Sequence, residues 1–295
     1  MKITNLQVFN FEGAFRGMRN PMNSWNKSDS CFDIYYADDA EDSLYEIAYN
    51  WAEKENPENP STDLVEKYSD WLYSICQLRY ANYTSYIEDM ALLGPNDLEL
   101  AQKLIRAGGE HRKFLRQIIV SFDLTAPLYF WKEFDTYKVG TVANSTSTMH
   151  KLTSTPITLD CFEIDDYEPD LVYLEGVDDR GDYSFDYKLC ISDMVNTTGF
   201  NTYDEPTIVQ FLEELRLKFL ETHDKRYWKE LIRWLPESWL QTRTITMNYE
   251  NILNIIHQRH NHKLSEWRWL VKQFQEQLPY ANELLFFALE DKNDN

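Results

Sequence analysis

Three histidines, His257, His260 and His262, bracket Arg259 near the C-terminal end of this chain. On a helix the first two share a face, and His262 can fold back towards them. Imidazoles so spaced can ligate a metal ion, but no cysteine or carboxylate completes a tetrahedral set nearby. The expectation is therefore no metal, with the histidines lining a pocket beside Arg259. A second cluster is Arg16, Gly17 and Arg19. Two guanidiniums beside a glycine can make an anion cradle; a surface turn is the plainer reading of the polar stretch 15–25. Glu133 and Asp135 stand close to Lys138 in the chain. A carboxylate there can serve as a general acid, although an internal ion pair with Lys138 is the favoured reading. His150 is of a type that serves as a general base near neutral pH, and equally of a type found on exposed loops. Asp165-Asp166 and Asp178-Asp179 lack the spacing of a calcium loop and read as solvated.

These groups need elements to place them. Residues 3–11 carry a short, partly alternating apolar run and read as a strand. Residues 40–55 and 62–81 have apolar residues three and four apart and read as amphipathic helices, with Ser61 or Thr62 as N-cap of the second. A helix over 96–106 is closed by Gly108-Gly109. Residues 117–124 are rich in β-branched and aromatic types and read as a strand, after which Pro127 starts a helix to about Lys138. Further helices are expected over 206–221, 225–234, 249–259, 264–276 and after Pro279, with a strand over 242–247. Trp228, Trp234, Trp267 and Trp269 sit at helical spacing and read as core or oligomer contacts. Residues 153–204 are treated as an acidic insertion, with weak strand signals at 171–174 and 183–191. Helices and strands mix without regular βαβ alternation, which points to α+β.

The 295 residues suit one large domain with an insertion, and aromatics at 15% imply a real core. A net charge of −20 disfavours long nucleic acid and anionic membrane, while leaving room for a small anion in a local cationic pocket. No signal peptide opens the chain, no apolar run has membrane-spanning length, and the four cysteines form no C-x-x-C pair. A cytoplasmic protein with reduced thiols is expected.

Residues 117–152 resemble the heart of the flavin-dependent thymidylate synthase (ThyX) family. In that family a strand ending in a small-residue-Pro step leads to a helix carrying R-H-R, then a loop of form S-x-N-E-x-S-x-R-Y. Here Ser121-Phe-Asp-Leu-Thr-Ala-Pro127 matches the strand and step, and Leu128 to Phe134 matches the helix. Thr136-Tyr137-Lys138 stands where R-H-R would be, and Asn144-Ser-Thr-Ser-Thr148 where E-x-S-x-R would be. Gly109-Glu-His111 resembles the family's G-H pair, and Leu235-Pro236, Asn248, Asn254 and Arg259 follow the family's order near the C-terminus. The resemblance covers about half of the chain (residues 100–150 and 230–280) and identifies a divergent, phage-type relative with an altered signature.

What the resemblance implies is an α+β fold with a central, mainly antiparallel sheet flanked by helices, in a single domain over 1–295. The family reaction is reductive methylation of dUMP to dTMP with FAD, methylenetetrahydrofolate and NADPH, in homo-oligomers (tetramer or dimer). Carried over residue by residue, Arg259, Thr146 and His150 are the candidate catalytic groups. Tyr137, Lys138, Asn248, Asn254 and His111 are the candidate flavin contacts. Glu133, Asn144, Thr148, Arg16 and Arg19 are the candidate substrate contacts. The partner is a nucleotide-like small molecule. The departures matter as much: the family's triplet arginines hold flavin phosphates, and here only Lys138 keeps a positive charge there. Each lost charge-assisted contact is worth about 1.5–3 kcal/mol. Ordinary dUMP and FAD binding should be abolished unless Arg16, Arg19, Arg112 or Lys132 compensates. The alternative is a non-catalytic nucleotide- or partner-binding protein on the same scaffold.

Overall fold

A computed structural model describes residues 1–32, 40–57, 60–80, 91–163, 176–177, 183–184 and 208–287. Most of the acidic stretch, with its four paired aspartates, lies outside the described residues. Within it, β4 (Gly176–Val177) and β5 (Tyr183–Ser184) form an antiparallel two-stranded ladder, below in chain order.

The described chain is α+β. Its elements are β1 (Lys2–Phe9), α1 (Phe11–Arg19), α2 (Ala40–Glu55), α3 (Thr62–Tyr80), α4 (Pro95–Arg106), β2 (Ile119–Pro127), α5 (Leu128–Phe134), β3 (Val142–Ser145), α6 (Thr148–Lys151), the β4–β5 ladder, α7 (Ile208–Thr222), α8 (Lys225–Arg233), β6 (Leu240–Asn248), α9 (Tyr249–Arg259) and α10 (Ser265–Gln277). The four longer strands form one sheet in the order β1-β2-β6-β3. Strand β2 alternates as its sequence dictates: Val120, Phe122, Leu124 and Ala126 are buried, while Ser121, Asp123 and Thr125 are half-exposed. The polar residues meet a row of threonines on β6. Thr125 lies 2.7 Å from Thr242, the Thr244 hydroxyl donates to Asp123 at 2.5 Å, and Thr246 donates to Ser121 at 3.5 Å. Each step of two forward on β2 meets a step of two back on β6, so the pair is antiparallel.

The chain divides into two compact units, and the division falls within the strands. Unit 1 comprises Met1–Thr4, Asp123–Thr136 and Ala143–Thr244. Its core holds Leu152, Ile157, Phe162, Val209, Leu212 and Leu231. Trp131 is buried beside Phe130 and Phe134, and its indole N–H reaches the carbonyls of Ala126 and Gln241. Arg243 stacks on that indole at 4.2 Å and pairs with Asp135 at 2.7 Å. Asp135 was expected beside Lys138; its partner is instead Arg243, which a cross-strand neighbour supplies and the linear sequence does not reveal.

Unit 2 comprises Asn5–Phe122, Tyr137–Val142 and Ile245–Asn295. Helices α2 and α3 close a core of Leu44, Ile47, Ala48, Trp51, Val65 and Leu72. The first expectation to fall is the loop over 15–25. Arg16, Gly17 and Arg19 lie on helix α1, because Phe11, Ala14, Phe15 and Met18 make a buried stripe at helical spacing. A side chain at Gly13 or Gly17 would displace a neighbouring amide side chain. A Cβ on Gly13 would stand 2.2 Å from the Asn10 amide oxygen, and one on Gly17 2.6 Å from that of Gln117. A second correction concerns the helix after Pro127, which ends at Phe134 rather than near Lys138. The Asp135 amide and the Thr136 hydroxyl satisfy the last carbonyls of α5, and the chain leaves the helix there. Residues 136–138 are therefore a connection, not a helical triplet.

Candidate functional site

Tyr137 opens the segment Tyr137–Val142 of unit 2, and its position is fixed from α9. Its hydroxyl donates to the Gln258 side chain at 2.9 Å and accepts from Arg259 Nε at 2.9 Å. Its ring meets buried Trp267 edge-on at 5.7 Å. The Arg259 guanidinium lies over Trp267 at 4.5 Å and over Tyr137 at 5.7 Å. Its Nη1 lies 2.7 Å from His262 Nε2 and the Leu264 amide 3.2 Å from His262 Nδ1; a neutral imidazole accepts at one nitrogen only, so these two hydrogen bonds are alternatives set by the tautomer. Helix α9 ends at Arg259, and Ser265 begins α10. The short connection therefore delivers His262 and Trp267 to the arginine that precedes it. The result is a half-buried corner in which one guanidinium is held by two aromatic rings and a phenol, with an imidazole beside it.

The rest of the segment is pinned as well. Asn251 Nδ2 donates to the Val139 carbonyl at 2.6 Å. Gly140 has φ +75, and a Cβ there would stand 3.0 Å from both Asn248 and Asn251 side chains. Asn248 caps α9: its side chain accepts from the Asn251 amide at 3.0 Å, and the Asn251 side chain accepts in return from the Asn248 amide. Val139 and Val142 are 88% and 66% exposed, so the fixed segment presents apolar side chains outward. Lys138 is exposed, and among the described residues no carboxylate pairs with it.

The other candidates in unit 2 take separate places. Asn254 is half-buried on α9, and His111 is exposed after α4. Arg16 is exposed and reaches Glu12 at 3.3 Å. Arg19 is buried, and its Nε donates to Asp97 at 2.5 Å. Asp97 also accepts from the Ser28 and Ser30 hydroxyls at 2.6 and 2.5 Å. Asp29 accepts the Asn96 and Asp97 amides at the start of α4. Burial pushes the Asp29 carboxyl above its usual range, against those two amides. Arg112 pairs with Glu250 at 3.0 Å.

Unit 1 holds the remaining five candidates. Asn144 lies on β3, whose four residues are all exposed. The Thr146 amide donates to Thr242 and its carbonyl accepts from Gln241. Thr148 starts the short helix α6, and His150 lies within it, exposed, its amide held by Ser147. Glu133 is half-buried on α5. Lys132 pairs with Glu237 at 2.6 Å.

The histidine triplet does not gather as a metal site. His260 Nδ1 sits 3.0 Å from the Ile256 carbonyl, His262 is on Arg259, and among the described residues no group of three potential ligands converges. Sequence reasoning placed the histidines beside Arg259, as His262 is, and passed over Trp267, Gln258 and Asn251 as site residues. The signal for Trp267 was present, an aromatic eight positions after Arg259 across a short turn, but it reads equally as core.

No family model matches this chain, and no curated protein does. Among solved structures the chain is similar to thymidylate synthase X (ThyX) from Helicobacter pylori with FAD and dUMP, at 14% identity, with 97% of each chain covered and a TM-score of 0.49. It is also similar to a flavin-dependent thymidylate synthase ThyX from Helicobacter pylori complexed with FAD and dUMP. There the identity is 18%, the cover 65% of this chain and 83% of that one, and the TM-score 0.41. No helix among the described residues is long and apolar enough to cross a membrane.

Proposed function

We propose that this chain is a ThyX-like protein that binds a pyrimidine nucleotide or a similar small molecule through unit 2, at the corner made by Arg259, Tyr137 and Trp267. The observation that carries the reading is the fixed guanidinium. Arg259 is one of the candidate catalytic groups that the motif resemblance implies, and it is held by the Tyr137 hydroxyl and the Trp267 ring. A donor fixed before the ligand arrives costs less entropy on binding. Val139 supplies apolar surface on the same segment as Tyr137, and Lys138 a charge.

Reductive methylation of dUMP is the reaction type that the resemblance implies. In it FAD carries hydride, NADPH reduces the flavin and methylenetetrahydrofolate supplies the carbon. The residues present fit FAD poorly. Its diphosphate needs cations, and two of the four offered as substitutes for the missing arginines are committed to buried or largely buried pairs, Arg19 with Asp97 and Arg112 with Glu250, while Arg16 and Lys132 are held only by exposed pairs with Glu12 and Glu237. Asn248 is committed to capping α9, and the Tyr137 ring packs on Trp267. The same observation favours the second reading, a binding protein that does not methylate. Thr146, His150 and the other unit 1 candidates remain proposals within their own unit, as do assembly into a homo-oligomer and a cytoplasmic location.

The test is the visible spectrum of the freshly purified protein, followed by thermal shift with dUMP, dTMP, FMN and FAD. A colourless protein stabilised by a pyrimidine nucleotide supports binding. A yellow protein that complements a thymidine auxotroph would establish the methylation reading instead. No stabilisation by any of the four ligands would end the proposal.

A further inference from the structure

We infer that the outer face of α8 docks a short segment of single-stranded nucleic acid, with its cations on successive phosphates and Trp234 under a base. The inference concerns unit 1 and is independent of the Arg259 corner. In a chain of net charge −20, α8 carries Lys225, Arg226, Lys229 and Arg233 within nine residues. All four are exposed, and at 3.6 residues per turn they fall within an arc of about 100°. The other side anchors the helix: Leu231 is buried, and the Trp228 indole donates to the Met149 carbonyl at 2.9 Å. The amphipathic pattern therefore turns the cations outward.

Lys225, Lys229 and Arg233 lie four apart, so successive charges stand about 6 Å from one another along the axis. An extended single strand repeats its phosphates on that scale. Among the described residues no carboxylate pairs with Lys225 or Lys229. Arg226 pairs with Asp224 and Arg233 with Glu230, and both pairs are exposed enough for a phosphate to replace the carboxylate. Trp234 follows at the end of the row and is 61% exposed. It is nevertheless held: its Nε1 donates to Glu230 at 3.2 Å, and its ring meets Phe211 edge-on at 6.4 Å. A fixed, open indole beside a row of cations is a stacking platform for a base. An acidic polypeptide would use the cations alone, and a duplex hides its base faces from the ring. The negative field of the rest of the chain opposes every polyanion, so the contact is short. At physiological ionic strength carboxylates beyond about 8 Å are largely screened.

The test is fluorescence anisotropy of a labelled oligothymidylate of ~10 nucleotides, titrated with the full chain and compared with a duplex of the same length and with oligoglutamate. Three phosphate contacts predict a slope of about −2 for log K against log salt, roughly a twenty-fold loss between about 50 and 200 mM. Lys229→Gln should make that slope shallower by about 0.7. Trp234→Ala should weaken binding roughly five- to a hundred-fold and leave the slope unchanged. Both side chains are exposed, and circular dichroism checks that the variants keep the fold. Duplex or oligoglutamate binding as tightly as oligothymidylate, an affinity that Trp234→Ala leaves unchanged, or no binding at the lower salt would each overturn the inference.

Discussion

Replacing Asp97 with asparagine tests whether Arg19 is a structural cation or part of an anion site. Asp97 is fully buried and Arg19 is 5% exposed, so neither charge has water to fall back on. Asparagine keeps the size of the side chain but removes the charge. Its amide then faces Arg19 Nε on one side and the Ser28 and Ser30 hydroxyls on the other. Whichever way the amide turns, either its NH2 meets the Arg19 donor or its oxygen abandons the serines. Breaking one partner of a buried pair costs about 3–5 kcal/mol, because the remaining charge is stranded. At about 2 °C per kcal/mol for a unit of this size, the melting temperature should fall by at least ~6 °C. Glu12→Gln is the control. It breaks the Arg16–Glu12 pair, whose side chains are 65% and 62% exposed, and should cost less than about 1 kcal/mol. Thermal unfolding followed by circular dichroism reads both. A fall of under ~2 °C for Asp97→Asn would mean that Arg19 is solvated and open to an anion, and the reasoning about paired cations would fail with it.

Three further outcomes follow from the same contacts. Gly140→Ala should destabilise by about 1–2 kcal/mol in urea unfolding, since it places a side chain at φ +75 and within 3.0 Å of Asn248 and Asn251. Tyr137→Phe removes the hydroxyl that fixes Arg259 Nε, and dUMP should then bind up to about ten-fold more weakly by calorimetry. Arg216 donates to Glu213 and holds its carboxyl below the ordinary value of 4.5, with burial opposing. The unfolded chain therefore takes up that proton more readily, so this stabilisation is present above pH 4.5 and is lost as pH falls through the folded value. The stability gap between wild type and Glu213→Gln should accordingly shrink on acidification, and a gap that widens would refute the assignment.

Much of the element order was legible because it rests on local periodicity. The helix over Tyr249–Arg259 has the expected bounds, and α3, α4, α7, α8 and α10 differ from expectation by a residue or two. The misreadings share a cause. The polar residues of the stretch 15–25 suggested a loop, while the buried stripe of Phe11, Ala14, Phe15 and Met18 starts ahead of that stretch and makes the helix. Trp234 was read as core or an oligomer contact and is 61% exposed, so it is not core; spacing gives a face but not what covers it. β3 was hidden because its four residues are all exposed and carry no alternating apolar signal.

From its residues alone this chain determined an α+β class, an aromatic core and a strongly negative surface, since burial pattern and charge count are properties of the sequence. The partners of its charges were decided by the fold. Arg19 meets Asp97 seventy-eight positions away, and Tyr137 meets Arg259 across one hundred and twenty-two. A charge is a cradle or half of an ion pair according to what lies within a few ångströms of it, and a linear sequence holds no distances.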